Sequence, residues 1–172
     1  MPLDRSRIDQ NNRQRERLRA LVTRLREDEL RVQVNPQWTV ADVLGHITYW
    51  DSRALLLAQK VEDGVPFTAA DAEPENVDLI NDAALPLIRA IAPRTLAELA
   101  LRMAEEVDRR VANLSTDALW PENPDSPLNP LRASHRREHL DQIDAALVAA
   151  GAPSAARATA GSLASAHRNL SN

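Results

Sequence analysis

Between residues 40 and 61 an apolar side chain recurs every three or four positions: Val40, Val43, Ile47, Trp50, Ala54, Leu57 and Val61. That spacing gathers all of them on one face of an α-helix and on neither face of a strand. Such a helix must bury its stripe against partners of similar length. The partners are present in the same chain. Leu18, Leu21, Val22 and Leu25 form one stripe, and Leu96, Leu99, Met103, Val107, Val111 and Leu114 form another. A last segment, from Asn129 to Ala150, is centred on Ile143. Four amphipathic rods in 172 residues predict an all-α, four-helix bundle, antiparallel as the simplest packing. The low aromatic content of 3% and the presence of only 4 Gly agree with helix rather than sheet.

Local signals place the boundaries. The first helix is expected over Leu3 to Leu30. Thr39 stands where an N-cap belongs with Asp42 in the capping-box position, and Trp38 and Val43 can staple the start of helix two, which ends near Asp63-Gly64. Val77, Ile80, Ala84, Ile88 and Ile91 continue the pattern, with Pro86 inside it, and predict a kinked or broken helix that Pro93 stops. Thr95-Leu96-Ala97-Glu98 reads as a capping box, and Asn129-Pro130 as the N-cap and first residue of the last helix, with Gly151 past its end. One domain over 1–152 and an Ala/Ser-rich tail over 153–172 follow.

The chain has no Cys, which excludes disulfides, thiolate ligands and a cysteine nucleophile. A net charge of −4 argues against nucleic acid or anionic lipid as partner. The Arg residues from Arg5 to Arg31 are interleaved with carboxylates and read as a solvated face. No signal-peptide pattern and no run of about 18 apolar residues is present, so a cytoplasmic protein is expected, without membrane association.

Three of the 4 histidines fall in the strongest helices. His135 and His139 are four apart, hence one turn apart on one face, where two imidazoles can share a cation. With Ile143 as zero they lie about 80° and about 40° to one side of the stripe. On helix two, with Val43 as zero, His46 lies about 60° off centre, and Gly45 beside it permits close backbone approach. Three neutral imidazoles suit a divalent metal and leave a coordination position for water or substrate. The ordinary alternative bonds each imidazole to a carbonyl or carboxylate, His46 with Asp42 for instance.

The stretch Trp38-Thr39-Val40-Ala41-Asp42-Val43-Leu44-Gly45-His46-Ile47, with Trp50 after it, resembles the helix-two signature of the DinB-like superfamily of metalloenzymes. Ser134-His135-Arg136-Arg137-Glu138-His139-Leu140-Asp141-Gln142-Ile143 is similar to its last-helix signature, H-x-x-x-H-L-x-Q-I, and Ile80-Asn81 resembles a pair found before its third helix. The resemblance spans roughly Arg15 to Ala150. It implies an up-down-down-up bundle, often a homodimer, with a zinc or nickel ion held by His46, His135 and His139. It also implies a metal-activated low-molecular-weight thiol, such as bacillithiol or mycothiol, or a water, attacking a small electrophile as in an S-transferase or hydrolase. A metal-free small-molecule-binding or dimerisation bundle is the alternative. Arg132, Arg136 and Asn81 are candidates for positioning an anionic or polar substrate, and Trp50 and Trp120 for lining its pocket.

Overall fold

The computed structural model describes residues 6–72 and 74–151. The Ala/Ser-rich tail expected over 153–172 lies outside the described residues. Five α-helices occur among the described residues: α1 (Ser6–Arg24), α2 (Val40–Glu62), α3 (Val77–Arg89), α4 (Pro93–Val111) and α5 (Ala133–Ala149). Short 3-10 turns at Glu29–Arg31, Ala69–Asp71 and Thr116–Ala118 sit in the connections, and no strand is present among the described residues. None of the helices is long and apolar enough to cross a membrane.

Side-chain contacts fix the helix directions. On α1, Asn11 meets Pro130 and Ala133, and Arg17 meets Asp141 and Asp144, so α1 and α5 run parallel. Arg15 meets Asp108 while Arg94 reaches the carbonyls of Val22 and Leu25, so α1 and α4 run antiparallel. Gly45 lies against Leu96 at one end of α2 and Glu62 meets Arg110 at the other, which makes α2 and α4 parallel. His46 faces His135 and Asp51 meets Arg132 and Arg136, and because α5 runs with α1 and against α4 while α2 runs with α4, α2 and α5 are antiparallel. The bundle is therefore up-down-down-up, with α2 and α1 each packed between α4 and α5. A simple antiparallel arrangement does not form, because two consecutive rods, α2 and α4, point the same way.

Parallel neighbours need a return path, and α3 provides it. It runs back along α2, with Asn81 at Trp50 and Arg89 at Asp42, delivering the chain to the start of α4. At Gly45 an added Cβ would sit 2.4 Å from Ile88 Cγ2, so the missing side chain is what lets α3 lie this close to α2. Despite Pro86, α3 is one helix, capped by Asn76, whose side chain accepts from the Leu79 N–H. Pro86 lies on the exposed side, where the carbonyl it leaves unbonded can meet water.

Three other boundaries differ from expectation. Pro93 opens α4 instead of ending α3: proline lacks only an N–H that the first helical position does not use, so Thr95 is already inside the helix. The last helix begins at Ala133 rather than at Pro130. Asn129 spends its side chain on the Leu131 N–H, and the buried Asn11 of α1 takes over as a cap from outside, accepting from the Ala133 N–H and donating to the Pro130 carbonyl, each at 2.9 Å. The first helix ends at Arg24, short of Leu30, and Glu29 folds back to accept from the Arg26 N–H. Gly151, at φ 77°, stands past the end of α5 as expected.

The core falls into two apolar clusters. One joins Leu18, Leu21, Val43, Leu44, Ile47, Leu96 and Ile143, and the other joins Ala54, Leu57, Val107 and Val111 to Leu119 and Leu128 of the Pro-rich loop. Along α2 a single fully buried carboxylate, Asp51, stands between them.

Candidate metal centre

The start of α2 is held by the predicted capping box: Thr39 Oγ1 accepts from the Asp42 N–H at 3.2 Å and Asp42 Oδ2 accepts from the Thr39 N–H at 2.9 Å. Arg89 takes the rest of the Asp42 carboxylate. Asp42 is therefore committed elsewhere, and the ordinary partner suggested for His46 does not serve it.

His46 instead meets the two histidines of α5. Its Nε2 lies 3.1 Å from Nε2 of His135. The ring centres of His46 and His135 are each 4.6 Å from that of His139. One ligand nitrogen from each residue lies within 4.8 Å of the others. The spacing argument placed all three on inward shoulders of their helices, and the fold brings them together across 89 residues of sequence.

These residues fit a divalent cation. Metal–imidazole bonds of about 2.0–2.1 Å at tetrahedral or octahedral angles separate neighbouring ligand nitrogens by about 2.9–3.4 Å, and the His46–His135 pair already has that separation. His139 Nδ1 is 3.0 Å from Gln142 Oε1; with that oxygen accepting the Nδ1 proton, the lone pair is left on Nε2. Among the described residues His135 Nδ1 is buried without a hydrogen-bond partner.

All three imidazoles are held neutral, the form a metal requires. Burial pushes His46 down to about 3 and His135 down to about 2, and neighbouring His139 and, for His135, Arg132 lower them further. His139 is also lowered, again mainly by burial.

The cluster forms part of the wall of a cavity of about 1000 Å³. Trp38 stacks 4.8 Å from the His46 ring, and Trp50 donates its indole N–H to Asn81 at 3.0 Å, closing one side. Trp50 lines this cavity as expected, and Asn81 and Arg132, the candidates for positioning a substrate, lie in its wall. Trp120 does not: it is absent from the lining and its ring is exposed.

Arg136 also departs from the expectation of a substrate contact. It is fully buried, with Nε on Asp51 Oδ2 at 3.0 Å and Nη1 on both oxygens of Asp108 at 2.8 and 2.9 Å. Its place in the middle of the α5 stripe, about 20° from Ile143, points it into the core. Asp51 and Asp108 were not singled out from sequence, and Gln142 entered only as the Q of the last-helix signature, although a carboxylate buried beside an apolar face is itself a sign that a buried cation must meet it.

Comparison with known proteins agrees with the geometry. No curated protein and no solved structure gave a significant match. A family model does match, over residues 10–143, which span α1 to most of α5 and include all three clustered histidines. The helical bundle and the extent of that match place the chain in the DinB superfamily.

Proposed function

We propose that the protein is a metal-dependent enzyme in which His46, His135 and His139 hold a divalent ion, zinc or nickel, beside the cavity that admits a small electrophilic substrate. The observation that carries this reading is the convergence of three neutral imidazoles from two helices on one cavity wall. When bound, the ion supplies a Lewis acid that makes a low-molecular-weight thiol or a water more acidic, and so more nucleophilic near neutral pH. The chain has no Cys, so any thiol must arrive as a co-substrate. Gln142 fixes the His139 tautomer, and Trp38 and Trp50 keep the His46 side of the cavity apolar. The bundle thus binds, orients and shields, and leaves the nucleophile to a diffusible molecule.

The test is elemental analysis of untagged protein after supplementation with zinc or nickel. About one ion per chain is expected in the wild type, and loss of most of it in His139→Ala, since three-ligand sites tolerate removal of a ligand poorly. Turnover of electrophiles with added thiols, or in water alone, then separates transferase from hydrolase. A wild type that takes up no metal would favour the metal-free binding bundle.

A further inference from the structure

The cavity holds a cation that the metal reading does not use. Arg132, immediately before α5, lines the cavity and keeps 14% side-chain exposure. Its Nε donates to Asp51 Oδ1 at 2.9 Å. Among the described residues its two terminal nitrogens meet no acceptor. Asp51 cannot neutralise it alone, because its other oxygen accepts from Arg136.

Charge balance sharpens the point. Three guanidiniums, Arg136, Arg132 and Arg15, share the carboxylates of Asp51 and Asp108, and Arg15 also has the surface carboxylate of Glu16 at 3.8 Å. Arg136 is sealed in the core, and Arg15 opens into a separate cleft between α1 and α4. On the cavity side Arg132 shares its one carboxylate with Arg136 and, among the described residues, keeps its terminal N–H groups open. The other ionic side chains lining the cavity are differently placed. Arg53 donates to the carbonyls of Asp71 and Ala72, and the α3 residues Asp78 and Asp82 are exposed, so water and salt screen them.

We infer that Arg132 is the docking point for an oxyanion on the substrate, a carboxylate or a phosphate group, with Asp51 as the positioning residue that aims the guanidinium into the cavity. A guanidinium whose Nε is tethered still offers paired N–H donors from its terminal nitrogens, which match two oxygens of one anionic group. The anion would lie beside His135, close enough to place an adjoining electrophilic or nucleophilic atom at the histidine cluster. This inference rests on the function proposed above and narrows its substrate to small molecules bearing an oxyanion.

The test titrates metal-free protein near pH 7.5 with malonate and, separately, with inorganic phosphate, following backbone and arginine side-chain signals by proton–nitrogen NMR. The imidazoles are uncharged there, so a bound anion reports the guanidinium. Saturable shifts are expected at Arg132 and across Ser134 to Arg136 with at least one of the two anions, the tighter one naming the group. Affinity is expected to fall at least about tenfold in Arg132→Gln and to stay within about twofold in Arg109→Gln, which removes a cation from the other cleft. Absence of saturable binding, shifts centred on the Arg7 and Arg109 cleft, or an Arg132→Gln protein that binds like the wild type would overturn the inference. The wild-type shift map locates the site by itself, so the test survives a variant that folds poorly. A separate zinc titration that finds no binding would sink the proposed function without altering the anion result.

Discussion

Two polar clusters lie one residue apart on α5, and they are built on opposite principles. Arg136, Asp51 and Asp108 form a closed set: the one guanidinium bonds both carboxylates at 2.8 to 3.0 Å, Arg132 and Arg15 complete the pairing at the edges, and all three residues are buried. His46, His135 and His139 form an open one. Two of their nitrogens face each other at 3.1 Å with at most one proton to share, and a third buried nitrogen has no partner among the described residues. A bundle of this size can seal charges when they are paired, and the neighbouring group left incomplete is the one that could hold an ion.

The sharpest way to break the comparison is Arg136→Met. It fills similar volume but leaves buried Asp51 to Arg132 alone and buried Asp108 to Arg15 alone, and unfolding in urea should show a loss of about 3 kcal/mol. If the variant kept wild-type stability, the closed set would not be structural. A smaller effect is expected from Gln142→Ala, which touches only the open set: zinc affinity should fall about 10–100-fold by calorimetry, with little change in urea midpoint, because Gln142 bonds only the His139 ring.

The smallest effect is the pH response of the metal-free protein. The folded histidines hold their protons less tightly than unfolded histidine, so between an unfolded value near 6.5 and about 3 the unfolded chain binds more protons. Their contribution to stability is full above about pH 6.5 and is lost as pH falls toward the folded values. From pH 7 to pH 6 the loss should be below about 1 kcal/mol per imidazole, read as a falling urea midpoint. A midpoint that rose on acidification would show that the histidines are charged in the fold.

The rods and the histidines were legible because both depend on position around a helix. Three-and-four spacing identified the stripes, and the same arithmetic turned His46, His135 and His139 inward. The unread features depend on partners distant in sequence. Asn11 looks like one polar residue in a charged helix, yet it caps α5 across 122 residues. Asp51 and Asp108 were each visible beside an apolar face, but only packing reveals that Arg136 answers both. Pro86 and Pro93 were read by local rules alone. The first lies on an exposed face that tolerates it, and the second starts a helix because the chain has just reversed direction. The direction of α4, and with it the up-down-down-up order, follows from the α3 return, and no local pattern in the loops states it.

The distance between His46 and the α5 pair along the chain has a consequence for biosynthesis. A growing polypeptide carries a lone imidazole of the set for nearly ninety residues, and the trio exists only once residue 139 has been added and α5 has docked against α2. A three-imidazole site that could hold an ion therefore exists only in the finished fold.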